Sequence, residues 1–147
     1  MSDTQAVIAF SLTDEQLNFE IDGQVIEISQ GLSFIISQSV RFSRIDALVI
    51  ENMIYVIEEL LEQLKLGAHL QRMSHTSDEY MQRLSSLFFN DAKHIDRQML
   101  EHAFNSFVER LEYYTAQAGD DFKLLAYFVL IREMMHHLNI ARINLNT

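Results

Sequence analysis

The sequence predicts an α+β fold, with an N-terminal β-hairpin or small antiparallel sheet packed on a bundle of about four helices. Three observations lead there. Asp22-Gly23 separates two alternating runs, the Ser43 to Leu66 stretch carries one strong helical stripe, and the pattern from Gly67 almost to the end is helical. With 147 residues, 48% of them hydrophobic, the chain has material for one core, so a single domain over 1–147 is expected. Within it, 1–42 reads as a β-rich acidic part and 43–147 as a helical part.

The hairpin signal is LNFEIDGQVIEI. Asp-Gly suits a two-residue turn in which both central residues take positive φ. With these residues at the tip, Ile21 faces Gln24, Phe19 faces Ile26 and Leu17 faces Ile28, so most apolar side chains share one face and Glu20 and Glu27 fall on the other. A preceding strand at about 6–12, AVIAFSL, is joined to the hairpin through Thr13-Asp14-Glu15. Residues 31–42 fit both periods; alternation of Leu32, Phe34, Ile36, Val40 and Phe42 favours a strand slightly over a helix.

The Ser43 to Leu66 stretch is the strongest helix. Ile50, Met53, Ile54, Ile57, Leu60, Leu61 and Leu64 recur at three- and four-residue steps, Ser43 with Asp46 resembles a capping box, and Gly67 is placed to stop the helix. Thr76 with Glu79 would open a short helix through Phe88. A longer helix is expected over about 94–118, closed by Gly119. A last one over about 121–138 is apolar nearly all round from Leu124 to Ile131, which requires burial between other elements or in a subunit interface. The tail from Asn139 either frays or adds a strand to the N-terminal sheet. Proline is absent, and four isolated glycines leave no linker and no phosphate-cradling glycine loop.

Composition narrows function. No cysteine means no disulfide framework, thiolate metal site or cysteine nucleophile, and a cytoplasmic location is the default. The N-terminal stretch has neither the basic flank nor the apolar run of a signal peptide. Eight apolar residues in Leu124 to Ile131 are far fewer than the roughly 20 a membrane-spanning helix needs. The net charge is −10, and residues 1–40 hold six acids with no Lys or Arg. That balance argues against nucleic-acid and anionic-membrane binding, both of which need clustered cations.

No Gly-x-Ser-x-Gly elbow, Walker pattern or His-Glu-x-x-His motif is present. His69 and His75 read as exposed turn residues. The leading functional expectation is therefore a non-enzymatic protein-binding module, an adaptor, inhibitor, immunity factor or assembly chaperone, without cofactor and homodimeric. Glu20, Asp22 and Glu27 would steer a basic protein partner. Phe89 and Tyr113, each half of an adjacent aromatic pair, would lend apolar surface, because adjacent residues cannot both centre on one helical face. The alternative is a helical-bundle metalloprotein or small-ligand binder. Glu133 and His136, three apart on the last helix, resemble the Glu-x-x-His element of carboxylate-bridged metal sites, although the second copy is missing and Asp91-x-x-His94 only imitates it.

Overall fold

A computed structural model describes residues 6–146; residues 1–5, including Asp3 of the acidic segment, and Thr147 lie outside it. Within the described residues the chain runs β1 (Ala6–Leu12), β2 (Leu17–Ile21), β3 (Gln24–Ile28), α1 (Leu32–Ser39), α2 (Ala47–Glu62), β4 (Arg72–Thr76), α3 (Glu79–Phe88), β5 (His94–Asp96), α4 (Arg97–Glu109), α5 (Leu111–Gln117), α6 (Phe122–His137) and β6 (Ile140–Leu145). The six strands form one sheet in the order β3-β2-β1-β4-β6-β5. β1, β4 and β6 run parallel through its centre, while β2, β3 and β5 join antiparallel.

This corrects the expected fold class. The hairpin exists in the anticipated register, Phe19 opposite Ile26 and Leu17 opposite Ile28, with Asp22 and Gly23 at φ 52° and 79°. It is the margin of a mixed six-stranded sheet, however, and the helices are crossovers and cover for that sheet rather than a separate bundle. Parallel pairing forces this arrangement, since a strand can return parallel to its neighbour only through a long connection. The chain supplies α1 and α2 between β3 and β4, and α3 to α6 between β4 and β6.

Several elements depart from expectation for local reasons. Residues 32–39 are helix, not strand: Leu32, Ile35 and Ser39 make one buried face, and the first-turn amides of Leu32 and Ser33 donate to Thr13 and Asp14 carbonyls. α2 begins at Ala47, because Asp46, not Ser43, accepts from the Val49 amide at 2.9 Å; Ser43 stands at φ 51° in the preceding turn. α2 ends before Gly67, with Lys65 taking the positive φ expected of the glycine. The apolar stripe is as read, with Met53 and Ile57 fully buried. The single helix expected over 94–118 is a short strand and two helices, broken at Arg110, where φ −137° and ψ 52° are not helical.

α6 occupies the centre. Leu124 to Ile131 are almost without solvent contact, because α6 meets α1, α2, α3, α4 and β6 at once. Burial between elements is therefore the answer to its all-round hydrophobicity. Phe128 anchors an aromatic cluster, with ring centroids 4.5 Å from Phe88, 5.4 Å from Phe104 and 5.3 Å from Phe107. The tail does add a strand: β6 lies between β4 and β5. One face of the sheet buries Ile8, Phe10, Phe19, Ser74 and Ile143, while Val7, Ser11, Glu20, Glu27 and Arg142 point to solvent from the other. No helix among the described residues is long and apolar enough to cross a membrane.

Candidate active site

In sheets with parallel strands, ligands collect outside the strands' carboxyl ends, where loops replace paired backbone. Here the carboxyl ends of adjacent β1 and β4 open into a pocket of about 490 Å³, lined by Leu12 to Glu15 of the β1–β2 turn and by Asp78, Glu79, Tyr80 and Arg83 at the start of α3. The turn is held from below. Its Thr13 and Asp14 carbonyls accept from the first amides of α1, and Thr13 and Gln16 bond reciprocally. Gly31 makes this approach possible, since a Cβ there would lie 2.3 Å from the Thr13 carbonyl oxygen.

Asp78 is the organising residue of the pocket. It stands at the N-cap position of α3, yet its side chain does not cap that helix. Its Oδ2 accepts instead from the Leu12 amide at 3.0 Å and the Tyr127 hydroxyl at 2.8 Å, joining β1 to α6. Burial raises its pKa above the ordinary aspartate range, outweighing these bonds, which favour the charged form. Burial likewise carries the Tyr127 hydroxyl well above its usual range, helped by the neighbouring carboxylate.

The second carboxylate, Asp14, behaves oppositely. Lys123 donates to its Oδ2 at 2.8 Å and Tyr80 to its Oδ1 at 3.0 Å, and the lysine bond above all lowers its pKa. Tyr80 is pushed up to about 12, by burial first and then by its bond to Asp14. Arg83 pairs with Asp121 at 2.8 Å and leans over the Tyr80 ring. The pocket thus presents two carboxylates of opposed proton affinity, two cations at its edge, and a helix amino end without a side-chain cap. Such an amino end favours anions through its exposed amides and dipole, and carboxylates pushed apart in pKa suit division into proton acceptor and fixed charge.

No protein-family model matches the sequence and no curated protein matches it. The likeness is structural. Over 96% of this chain and 53% of the neighbour, the fold superposes on the Aquifex aeolicus PPX-GPPA enzyme with a TM-score of 0.72 at 12% identity. The type II variant of the Aquifex aeolicus Ppx/GppA phosphatase matches at 0.75 and 11% identity, over 97% and 53%. A third structure, the Aquifex aeolicus member of the Ppx/GppA family, matches at 0.72 and 11% identity over the same shares.

At this identity the likeness to Ppx/GppA structures concerns the fold, and the chain spans about half their length. It overturns the expectation of a non-enzymatic protein-binding module on a helical bundle, because the fold is one that enzymes named as phosphatases possess.

The residues singled out in sequence lie away from the pocket. Glu20, Asp22 and Glu27 are exposed on the hairpin. Phe89 is buried, 6% exposed, against Phe128, so it offers no surface to a partner. Tyr113 is 45% exposed and stacked on Arg110. Glu133 and His136 do not converge: His136 bonds Glu101 of α4 at 2.7 Å, whereas Glu133 is buried beside Arg132. His94 lies on edge strand β5 against Asn144. His75, expected in a turn, sits in β4 and pairs with Asn146. Asp78 carried one sequence signal, an acid beside a predicted helix start, which reads equally well as a cap.

Proposed function

We propose that this chain is an enzyme-type domain of phosphatase-like hydrolase character, and that the pocket at the carboxyl ends of β1 and β4 receives the phosphoryl group of a phosphorylated substrate. The observation that carries this reading is Asp78. It is a half-buried carboxylate of raised pKa in a pocket, beside an α3 amino end that its own side chain leaves uncapped. Phosphoryl oxygens would sit at the α3 amides, with Arg83 and Lys123 as nearby cations. Asp14, Glu15 and Glu79 give the pocket an acidic wall, which suits a phosphate presented with a divalent counter-cation better than a bare anion.

In hydrolysis the attacking water forms the new P–O bond and passes its proton to Asp78. The bond to the leaving oxygen breaks, and that oxygen takes a proton from solvent. The likeness to phosphatase folds supports this class of chemistry.

The test is calorimetric titration of the chain with magnesium pyrophosphate, alongside phosphate release from pyrophosphate, ATP and p-nitrophenyl phosphate. Binding that weakens at least about tenfold in Arg83→Gln, with any phosphate release lost in Asp78→Asn, is expected. Absence of binding by the wild type, or equal binding by Arg83→Gln, would sink the reading.

A further inference from the structure

The fold brings together three side chains that belong to no part of the pocket. Glu58 projects from α2, and Glu133 and His137 project from α6 four residues apart, the spacing that stacks side chains on one helical face. His137 Nε2 lies 3.3 Å from Glu58 Oε2 and 3.6 Å from Glu133 Oε1, and all three donor atoms fall within 4.8 Å of one another. His136, three residues from Glu133, turns instead to Glu101 of α4.

We propose that Glu58, Glu133 and His137 form a binding site for a zinc-class divalent cation that clips α2 to α6. Bonds of about 2.0–2.2 Å in a tetrahedral site place neighbouring donor atoms roughly 3.3–3.6 Å apart. The two separations centred on His137 match that edge length. One imidazole with two carboxylates suits zinc or cobalt, whereas magnesium prefers oxygen donors and retains its water. Three protein donors leave a fourth position for water.

An independent observation concerns Glu133. Its residue is only 4% exposed, yet a carboxylate withdrawn from water needs full compensation. Arg132 Nη1 binds its Oε2 at 2.8 Å. Its Oε1 lies 3.6 Å from His137 Nε2, on the side of the carboxylate that faces Glu58. Arg132 is itself fixed by Glu101 at 3.1 Å, so the inner carboxylate is held in orientation by a partner outside the donor set. Such outer contacts are characteristic of built metal sites. Glu58 and His137 are half-exposed, which gives the ion a way in.

The experiment uses the chain purified without a histidine tag and stripped with a chelator. Zinc is titrated against a chromogenic competitor, and the unfolding midpoint is followed with zinc and, separately, with magnesium. One zinc per chain, a zinc-dependent rise in the midpoint, no response to magnesium, and the intense visible bands of tetrahedral cobalt(II) on substitution are expected. Glu58→Gln and His137→Gln should each weaken zinc at least about tenfold, whereas His136→Gln should not. Circular dichroism checks that the variants are folded. No stoichiometric zinc in the wild type, or equal affinity in folded Glu58→Gln and His137→Gln, would overturn the proposal.

Discussion

The Tyr127 hydroxyl donates to Asp78 Oδ2 across 2.8 Å, tying the buried helix α6 to the N-cap position of α3. Because burial raises the Asp78 pKa in the folded chain, the folded state binds a proton more readily than the unfolded one. Its contribution to stability is therefore full below the unfolded pKa, near pH 4, and is lost as pH rises through the folded value. Urea midpoints of wild type and Asp78→Asn, compared between about pH 4 and pH 7, should show wild type gaining on the variant as pH falls. Tyr127→Phe removes the donor at nearly constant volume. It should cost about 1.5–3 kcal/mol at neutral pH, shrinking as Asp78 protonates. A Tyr127→Phe cost that grows toward acid would refute the assignment.

Asp14 should give the reverse slope. Its pKa is lowered, chiefly by the hydrogen bond from Lys123, so its stabilisation is present above the unfolded pKa and disappears as pH falls through the folded one. Asp14→Asn is expected to lose most against wild type at neutral pH and to converge with it in acid. Both side chains are well over a third exposed, so raising ionic strength should narrow the gap. A pH-independent gap in the same urea series would dismiss the linkage.

How far these features could be read in advance depends on what each residue offers to a pattern. The hairpin was legible because its turn chemistry and its alternation agree, and its register follows from both. β4 was not, since its buried face is Arg72, Ser74 and Thr76. Those side chains enter the interior by bonding main-chain carbonyls: Arg72 to Leu138 at 2.7 Å, Ser74 to Arg142 at 3.1 Å, Thr76 to Phe10 at 2.8 Å. A strand that buries polar groups by satisfying them leaves no hydrophobic alternation to find. Missing β4 hid the parallel pairing, and with it the sheet and the pocket at its carboxyl edge. The three-residue β5 is too short for any period to register. At the candidate sites, Glu133 was legible as an acid on a buried helix. Its partner was not, because the choice between His136 and His137 depends on where α2 and α4 pack.

Phe128 should be the most costly aromatic to remove. Its ring is fully buried and touches Phe88 of α3 and Phe104 and Phe107 of α4. Phe128→Ala should destabilise by about 3–5 kcal/mol, through lost transfer energy and a cavity that the surrounding helices cannot close. Tyr113→Ala, at the rim and nearly half exposed, loses mainly its stacking on Arg110, 4.1 Å from the ring centroid, and should cost no more than about 1 kcal/mol. Guanidinium denaturation of the two variants checks the ranking. Equal costs would mean that the aromatic cluster is not the core of the domain.

Gly31 and Gly23 separate two reasons for a glycine. At Gly31 an added methyl would meet main-chain atoms of the β1–β2 turn, 2.3 Å from the Thr13 oxygen, 2.6 Å from the Gln16 nitrogen and 2.8 Å from the Asp14 carbonyl carbon. None of these can swing aside as a side chain would, so either the turn or the start of α1 must shift. Overpacking of this kind costs about 1–3 kcal/mol. At Gly23 the space is open and only φ of 79° is demanding, so alanine there carries backbone strain of about 1 kcal/mol and moves nothing else. Gly31→Ala should therefore perturb the amide resonances of Thr13 to Gln16 and weaken any ligand held in the pocket, while Gly23→Ala lowers stability with those resonances unchanged. Spectra of the two variants decide it, for an undisturbed turn in folded Gly31→Ala would show that the approach of α1 does not set the pocket's shape.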